Sequence, residues 1–486
     1  MALNFTTFTN IIDGKATTTA ETQYPINPST REPNPPVPLS TKKDLDAAVE
    51  AARRAFKGWS ETSWDERKDA LLKYANAILD NKTELAALST REQGKSLMIA
   101  VLELELIAGR MPDLAKIKLE EELMSDVGER KVTKRYVPLG VGGLIVPWNF
   151  PVMLLVAKIA NAVLTGNTVV CKPSPFAPYT GLKLVELAQQ FFPPGVINVL
   201  SGDDNLGPWM TAHPGIDKIS FTGSTATGRK VMESCSRTLK RVTLELGGKD
   251  PAIILPDIDV TVVAGQVAFW AFINSGQGCM AIKKVYVHSS IAKEFVMALV
   301  DATKSLKVGD GFEDGVFMGP VGHEMQYEKV MGFMQDIKKE GGKIVLGGDV
   351  GRFKYKPGEV GFFVDPTIVF EPGEGSRIMK EEPFGPILPI ATWDDEEDVI
   401  RRANDTDIGL GASVWGKDVN RAERIGRRLE VGNVWINEHM SGLASVPFGG
   451  WKCSGIGVEN GREGLISWCN LQGIYVTREA KSIGFP

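Results

Sequence analysis

The chain has 486 residues, of which 43% are hydrophobic and 24% are charged, and its formal net charge at pH 7 is −5. This length can bury more than one hydrophobic core and predicts about three domains. Because the basic residues are spread along the chain and no apolar run approaches the roughly 18 residues of a membrane helix, the composition argues against nucleic-acid binding and against a membrane protein.

The cysteines and histidines argue against two further classes. The five cysteines are odd in number and widely spaced, and the four histidines are scattered along the chain. This pattern argues against a disulfide framework, indicates a reducing compartment and predicts no dedicated metal site. The first ten residues also lack the basic and apolar regions of a presequence, so we expect a cytoplasmic protein.

The first roughly 115 residues are expected to be mostly helical. Apolar residues recur at steps of three and four over residues 41–57, which predicts one face of an amphipathic helix. Ser63 and Glu66 have the spacing of a capping box and predict the start of a second helix.

From residue 141 onwards, short apolar runs alternate with helical stretches. The runs lie at residues 141–147, 167–172, 196–200, 218–221 and 242–246. This alternation is typical of βαβ units with a buried parallel sheet. Such a sheet binds its ligands at the carboxyl ends of its strands.

A second alternating region begins after residue 250, with strands predicted at residues 252–255 and 282–288. Two other strand-like runs lie at residues 131–138 and near the C-terminus, in LQGIYVTREA. We expect both to be edge strands, which proteins tend to cover or pair.

Two segments have features of a phosphate or ribose site. Residues 223–228 (GSTATG) follow a predicted strand and precede a helical pattern, and N–H groups at the start of a helix favour a phosphate. Lys172 closes another predicted strand, from which a lysine reaches ribose or phosphate oxygens. Taken alone, a structural turn explains residues 223–228 equally well, and a solvated surface lysine explains Lys172 better.

Three residues have the chemistry of covalent catalysis. Cys279 follows the glycine-containing segment NSGQG, and the pKa of a thiol falls near a helix N-terminus or a cation. Glu245 ends an apolar run, where burial raises the pKa of a carboxylate towards that of a useful base. Asn149 lies in the stiff segment PWNFP, and its amide is a donor for an oxyanion. Singly, each also fits a structural role.

Together these segments resemble the aldehyde dehydrogenase superfamily, collinearly from about residue 10 to about residue 478. The shared motifs are EQGKS (92–96), PWNFP (147–151), KPS (172–174), FTGSTATG (221–228), ELGGKDP (245–251), GQGC (276–279), EEPFGP (381–386), GNVWIN (432–437) and PFGGWKCSGIG (447–457).

The resemblance implies oxidation of an aldehyde to a carboxylic acid with NAD(P). Cys279 is then the nucleophile, which forms a thiohemiacetal and a thioester, and Glu245 activates the hydrolytic water. Asn149 and the Cys279 N–H are the oxyanion donors. The implied cofactor-binding residues are Val146, Trp148, Lys172, Ser174, Gly223, Ser224, Thr225, Gly228, Leu246, Glu382 and Phe384. The implied substrate-tunnel residues are Phe150, Leu154, Met280 and Phe448.

The resemblance also implies an α/β fold with a parallel-sheet, Rossmann-type cofactor domain, a catalytic α/β domain and a small β oligomerisation element. The cofactor domain is expected over residues 1–117 and 138–247, and the catalytic domain over residues 248–466. Residues 118–137 and 467–486 match the oligomerisation element, which implies a homodimer or a homotetramer.

One position departs from many NAD-preferring relatives, which have Glu where this chain has Pro175. Discrimination against NADP should therefore weaken, although NAD remains the favoured cofactor. Leu154, Leu155, Ala157 and Met280 suggest an apolar tunnel wall, so we expect an aromatic or medium aliphatic aldehyde rather than a charged one.

Three alternatives remain. A coenzyme A-acylating relative would generally lack the base glutamate, whereas this chain has Glu245. A cofactor-free cysteine hydrolase usually needs a partner histidine, and His288 is nine residues after Cys279 in a predicted strand. A non-catalytic structural protein on the same fold would have no need of the three intact residues Cys279, Glu245 and Asn149.

Overall fold

A computed structural model describes residues 3–348 and 361–479 of the chain. Its strands are β1 (Asn10–Ile12), β2 (Lys15–Thr17), β3 (Thr22–Gln23), β4 (Val37–Pro38), β5 (Glu122–Val127), β6 (Arg130–Pro138), β7 (Val141–Ile145), β8 (Thr168–Lys172), β9 (Ile197–Val199), β10 (Lys218–Thr222), β11 (Arg241–Glu245), β12 (Pro251–Ile254), β13 (Lys284–His288), β14 (Lys343–Leu346), β15 (Thr367–Phe370), β16 (Ile387–Trp393), β17 (Ile408–Gly409), β18 (Gly411–Trp415), β19 (Asn433–Ile436), β20 (Trp451–Lys452), β21 (Gly455–Ile456) and β22 (Cys469–Thr477). Its helices are α1 (Lys42–Trp59), α2 (Trp64–Asp80), α3 (Lys82–Gln93), α4 (Leu97–Ala115), α5 (Pro151–Leu164), α6 (Tyr179–Ala188), α7 (Leu206–Ala212), α8 (Thr225–Ser236), α9 (Val260–Phe272), α10 (Ala292–Lys304), α11 (Glu324–Lys339), α12 (Arg377–Lys380), α13 (Glu396–Asn404), α14 (Val419–Gly426) and α15 (Gly461–Ile466).

The first two helices begin at their capping residues. Thr41 accepts a hydrogen bond from the backbone N–H of Asp44, and Ser63 accepts one from that of Glu66. Each carboxylate returns to the backbone of its cap, which satisfies N–H groups that a helix start leaves without partners. Both predicted helices, including the capping box at Ser63, are therefore confirmed.

The first sheet has the strand order β2-β1-β9-β8-β7-β10-β11-β21 within the described residues. Its five middle strands are parallel, and antiparallel neighbours lie at both edges. One face packs against α2, α4, α5 and α6, and the other against α1, α7 and α8. Because both faces are covered, the strands are near-continuous apolar runs, and the strands predicted between residues 141 and 246 are confirmed.

The second sheet has the order β14-β15-β16-β13-β12-β18-β19 in the same ranges. Its strands are parallel except β14, which pairs antiparallel with β15. Helices α9 and α10 pack on one face, and α13 and α14 pack on the other. The strands predicted at residues 252–255 and 282–288 are the neighbours β12 and β13, so the α/β class is confirmed.

A third, antiparallel sheet has the order β22-β6-β5. The prediction that the run at residues 131–138 forms an edge strand is wrong, because β5, which was not predicted, pairs with the free side of β6. The side chains of β5 and β22 are mostly exposed. Residues 480–486 of the expected oligomerisation element, residues 349–360 of the expected catalytic domain and residues 1–2 lie outside the described residues.

Strand β21 brings a late part of the chain to the edge of the first sheet. Gly455 pairs with Glu245, and the backbone N–H of Leu246 donates to the carbonyl of Ser454 over 2.8 Å. The glycine-rich segment near the C-terminus therefore lies beside the carboxyl end of β11. Among the helices described, none is long and apolar enough to cross a membrane.

Candidate active site

Cys279 lies in a turn between α9 and β13 that is strained and tightly held. Asn274, Ser275 and Gly276 precede it and have φ angles of 49°, 57° and 72°, a left-handed conformation that is uncommon outside glycine. A Cβ on Gly276 would lie 2.3 Å from the carbonyl oxygen of Gly385, so this position requires glycine. The strain therefore lies in the same turn as the candidate nucleophile, a few residues before it.

Hydrogen bonds to residues 319–322 hold this turn in place. Ser275 Oγ donates to the carbonyl of Gly319 over 2.7 Å. Gln277 Nε2 donates to the carbonyl of Asn274 over 2.9 Å, and Gln277 Oε1 accepts from the backbone N–H of Gly322 at 2.8 Å. The conformation of the turn is thus fixed by tertiary contacts rather than by a helix or a strand.

Asn149 lies against the same turn. Its Nδ2 donates to the carbonyl of Gln277 over 2.9 Å, and Asn274 Nδ2 donates to the Asn149 carbonyl over 3.0 Å. The side chain is buried. Because an amide carries two hydrogens and this bond uses one, the second hydrogen is available to an oxyanion.

Glu245 ends β11 as a buried carboxylate. Neither of its oxygens has a hydrogen-bond partner within the described residues. Burial raises the pKa of Glu245 well above its ordinary value, Glu459 raises it further, and Lys158 lowers it. A buried, unpartnered carboxylate is costly to keep and is typical of a functional group.

Two residues that act on the pKa of Glu245, Lys158 and Glu459, were not predicted from the sequence. Lys158 pairs with Glu459 and donates to Ser220 Oγ over 3.0 Å, and Ser220 Oγ donates to Glu459 over 2.8 Å. The Lys158 side chain is fully buried. A lysine within the otherwise apolar helix α5 was the available signal, since a buried ammonium needs a partner.

Burial raises the pKa of the Cys279 thiol to about 12, and Glu382, Asp250 and Glu245 raise it further, whereas Lys283 lowers it. The sequence reasoning associated this thiol with a lowered pKa at a helix start or near a cation. The structure corrects this in part: the cation is present, but Cys279 lies in a turn and its desolvation outweighs the charge.

The segment at residues 223–228 forms the predicted strand-to-helix turn beside Glu245. The backbone N–H of Gly223 donates to the Glu245 carbonyl over 3.1 Å. Ser224 caps α8 and accepts from the backbone N–H of Thr227, and Gly228 lies in the first turn of the helix. Leu246 is buried with the α8 side of the core.

Ser224, Thr225 and Glu382 line one cavity of about 720 Å³ together with Gly247. A Cβ on Gly247 would lie 2.4 Å from Glu382 Oε2, so glycine is needed for this carboxylate to lie where it does. The cavity thus combines a helix N-terminus, a carboxylate and a glycine wall, which suit the phosphates and ribose of a dinucleotide.

Lys172 ends β8 and is buried rather than solvated. Burial lowers its pKa to about 8, and two nearby aspartates oppose this. Its carbonyl accepts from the backbone N–H of Val146 at 3.2 Å, and Ser174 Oγ accepts from the backbone N–H of Phe176. Pro175 lines another cavity, of about 490 Å³, together with Phe176.

Aromatic rings connect the segment PWNFP, which contains Asn149, to the loop that contains Glu382. The ring centroids of Trp148 and Phe384 lie 5.6 Å apart, and those of Trp148 and His323 lie 4.8 Å apart. Phe384 has a φ of 50°. These contacts bring two expected cofactor-binding residues together around a rigid aromatic group.

The expected tunnel residues are half-buried, except Leu155, which was named for the wall and instead lies fully buried in the core. The ring of Phe150 lies beside the nucleophile turn, 3.8 Å from where a Cβ on Gly278 would be. Phe448 exchanges backbone hydrogen bonds with Glu459 at 2.7 Å. Leu155 is therefore not exposed to line the expected tunnel.

His439 was also missed. Its Nε2 lies 2.6 Å from the carbonyl of Met280, the residue after Cys279, and burial lowers the pKa of His439 to about 3. His439 lines a cavity of about 460 Å³ that also includes Trp270, Asp259 and Glu438. In the described ranges, no group of three or more His, Cys, Asp and Glu side chains is placed to hold a metal ion.

Comparison with known proteins points to one family across the chain. The model of the Aldehyde dehydrogenase family matches residues 15–474. A curated relative, aldehyde dehydrogenase LUC3 from Fusarium sp, is 41% identical over 474 residues, which cover 98% of this chain and 100% of that protein. The resemblance found in the sequence is therefore confirmed.

Solved structures of two bacterial relatives share the fold. An NAD-dependent aldehyde dehydrogenase from Sinorhizobium meliloti superposes with a TM-score of 0.95 at 33% identity, covering 99% of this chain and 96% of that chain. A betaine aldehyde dehydrogenase from Staphylococcus aureus, in complex with NAD+, superposes with a TM-score of 0.94 at 33% identity, covering 99% and 97%. The expected fold is confirmed over nearly the whole chain.

Proposed function

The chain belongs to the aldehyde dehydrogenase family, and we propose that Cys279, Glu245 and Asn149 are the residues with which it oxidises an aldehyde to a carboxylic acid. The observation that carries the proposal is the meeting of three groups from different segments, of which Asn149 and Glu245 are buried and Cys279 is half-buried. Asn149 binds the turn of Cys279, and the charge of Glu245 acts on the pKa of the thiol. Together they supply a nucleophile, an oxyanion donor and a base.

The oxidation begins at the thiolate of Cys279. Its sulfur attacks the aldehyde carbon, and the new C–S bond places negative charge on the former carbonyl oxygen. The free hydrogen of Asn149 Nδ2 and the Cys279 N–H donate to that oxygen. When bound, NAD(P) supplies the hydride acceptor, and loss of hydride from the carbon leaves a thioester on Cys279.

Hydrolysis of the thioester depends on Glu245. Its carboxylate takes a proton from water, the water oxygen attacks the thioester carbon, and the C–S bond breaks to release the acid and the thiolate. The raised pKa of Glu245 brings its base strength closer to that needed near neutral pH. Both oxygens are available for this water because they have no partner among the described residues.

NAD is the proposed cofactor, with NADP as an alternative. The cavity lined by Ser224, Thr225 and Glu382 supports this, as do the NAD-dependent relative and the relative solved with NAD+. Pro175 supplies no carboxylate near the end of β8, so little would repel a 2′-phosphate.

We assign residues 1–117 and 138–247 to a cofactor domain and residues 248–466 to a catalytic domain.

For the substrate, we propose an aromatic or medium aliphatic aldehyde. Phe150, Leu154, Met280 and Phe448, the proposed tunnel residues, are all apolar. A cationic aldehyde is the second candidate, because the cavity beside Met280 combines Trp270 with the carboxylates of Asp259 and Glu438. The name of the betaine aldehyde dehydrogenase relative points the same way.

The test is the formation of reduced nicotinamide by the purified protein with aliphatic, aromatic and cationic aldehydes, with NAD and NADP in parallel. Cys279→Ala should lower turnover by at least about 10⁴-fold while cofactor binding persists. Cys235→Ala, at a buried cysteine in α8, is the matched control and should retain turnover. Full turnover in Cys279→Ala would contradict the proposal, and acyl-CoA formed on addition of coenzyme A would favour the acylating alternative.

We also propose a homodimer or homotetramer, joined through residues 118–137 and 467–486. Apolar side chains on β5 and β22 are exposed, among them Leu123, Val127 and Tyr475. Such a surface is typical of an interface, and within the described part of the chain both outer strands pair only with β6, which leaves one edge of each for further pairing. The molar mass of the protein in solution tests this, and Leu123→Asp with Val127→Asp should reduce it to that of a monomer.

A cytoplasmic location is the last part of the proposal. It is supported by the free cysteines at all five positions, which suit a reducing compartment. Imaging of the tagged protein in its cell of origin tests the location, and confinement to an organelle would contradict it.

A further inference from the structure

Lys283, four residues after Cys279, is a buried lysine that the proposed mechanism does not use. Its side chain is only 3% exposed. Its Nζ donates to the carbonyl of Cys279 and, over 3.4 Å, to that of Ala281. The same Nζ lies 3.1 Å from Glu382 Oε1. One ammonium thus connects the backbone of the nucleophile to the carboxylate that lines the 720 Å³ cavity.

The backbone of Lys283 is itself fixed to the second sheet. Its N–H donates to the carbonyl of Asp250 over 2.9 Å, and Lys249 Nζ donates to its carbonyl over 2.9 Å. The next residue, Lys284, is in register with Pro251 in the parallel pair of β12 and β13. Because strand pairing sets this register, Lys283 has a rigid base from which to reach the turn.

Glu382 has a second donor at the same oxygen. Its Oε1 also accepts from the backbone N–H of Gly248 over 3.4 Å, and its Oε2 lies against Gly247. Two donors at one oxygen and a close backbone beside the other restrict the orientation of this carboxylate toward the cavity. Lys283 therefore fixes the position of two groups that lie on different segments of the chain, and it does so from the same nitrogen.

Several charged groups lie around this lysine. Lys283 lowers the pKa of Cys279 and of Asp250, and Glu382 raises both. The positive charge of Lys283 also lowers the pKa of Lys249, Lys329 and His439. Lys284 acts on Lys249 and Asp250, whereas the largest effects on the pKa of Cys279 come from burial, Lys283, Glu382, Asp250 and Glu245. The two adjacent lysines are both buried, and they differ in what they face.

We propose that Lys283 is a positioning residue of this reaction, which ties the Cys279 carbonyl to the Glu382 carboxylate and keeps a positive charge beside the thiolate as it forms. The inference rests on the proposed role of Cys279 as nucleophile. A merely structural ion pair would stabilise the loop without changing the reactivity of the thiol. The positioning role and a merely structural role can therefore be distinguished by measuring the reactivity of the Cys279 thiol without substrate or cofactor.

The experiment measures alkylation of Cys279 by iodoacetamide in the full-length protein, from about pH 7 to about pH 10, with the labelled Cys279 peptide quantified by mass spectrometry. Lys283→Met removes the charge and keeps much of the side-chain length, and its alkylation rate should fall about tenfold at each pH, as a shift of one pKa unit requires. Lys283→Arg should restore the rate to within about threefold. Lys284→Met, the matched control, should leave the rate unchanged.

A second variant gives a change of the opposite sign. Glu382→Gln removes a negative charge that raises the pKa of Cys279, so alkylation should become faster than in the unaltered protein. General loosening of the turn would move Lys283→Met and Glu382→Gln in the same direction. Thermal unfolding of each variant shows whether it remains folded at the temperature used.

The outcomes are distinct. A slower Lys283→Met, rescue by arginine and a faster Glu382→Gln support the inference. Equal rates in Lys283→Met and the unaltered protein would overturn it and leave the role of Cys279 intact. Absence of labelling at Cys279 in the unaltered protein at every pH would overturn the nucleophile, and this inference with it. If Lys283→Met does not fold, the failure of Glu382→Gln to accelerate labelling overturns the inference.

Discussion

The two parallel sheets place their candidate residues in different ways. On the first sheet these residues stand at the ends of regular elements: Glu245 ends β11, Lys172 ends β8 and Ser224 caps α8. On the second sheet Cys279 lies outside any regular element, in a turn with three successive left-handed residues. Secondary structure therefore positions the candidate residues of the first sheet, whereas tertiary contacts position the proposed nucleophile and sustain the strain of its turn.

Burial also has opposite consequences on the two sides. It raises the pKa of both Glu245 and Cys279. A higher pKa makes Glu245 a stronger base, but it makes the thiol of Cys279 harder to ionise. A nearby cation therefore favours ionisation of the proposed nucleophile, whereas it weakens the proposed base. Lys283 at the thiol opposes burial, whereas at Glu245 the effects of Lys158 and Glu459 are opposed to each other.

Asn149→Ala should produce the largest effect among changes that bridge the two sides, because Asn149 follows the first sheet and binds the turn of the second. Loss of one oxyanion donor costs ~3 kcal/mol, so turnover should fall by about two to three decades. Steady-state kinetics should show the loss in kcat with little change in KM. An effect confined to KM would show that Asn149 binds substrate and does not stabilise the transition state.

Substitutions of Lys158 or Glu459, which act on the pKa of Glu245, should shift the pH dependence of thioester hydrolysis without displacing Cys279. The carboxylate form is the base, so the rate falls as the pH falls through the pKa of Glu245. Lys158 lowers that pKa, so Lys158→Met should move this fall to higher pH by about one unit.

The opposite change checks the sign. Glu459 raises the pKa of Glu245, so Glu459→Gln should move the fall to lower pH. Single-turnover hydrolysis of the acyl-enzyme measures both profiles. If the two variants have identical pH profiles, the ion pair of Lys158 and Glu459 does not set the pKa of Glu245.

Pro175→Glu should have the smallest effect, limited to the cofactor side. A carboxylate there would repel a 2′-phosphate, so the Kd for NADP should rise about tenfold while that for NAD is unchanged or falls. Calorimetric titration measures both constants, with Pro175→Gln as the uncharged control. An equal loss of affinity for both cofactors would show that the residue does not face the ribose.

Much of the first sheet could be predicted from local pattern. Its strands are buried on both faces, so each is a short apolar run, and the cap at Ser63 has a short-range signature. The second sheet was predicted only at β12 and β13, near the start of that region. The central position of β6 in its sheet was not predicted, because whether a strand lies at the edge or in the centre of a sheet depends on partner strands elsewhere in the chain.

The chemistry of the site could be predicted only in part. The resemblance pointed to Cys279, Glu245 and Asn149, whose motifs are continuous in sequence. Lys158 with Glu459, and Lys283 with Glu382, are separated along the chain and meet only through the fold. The burial of the thiol was also beyond a local pattern, because the segments around it come from both sheets.

The most direct measurement is the intact mass of Glu245→Gln after mixing with an aldehyde substrate and NAD. If Cys279 is the nucleophile and Glu245 the base, the variant should show about one equivalent of reduced nicotinamide and an acyl adduct on Cys279 that hydrolyses slowly. Turnover equal to that of the unaltered protein, with no adduct on Cys279, would contradict the assignment of both residues.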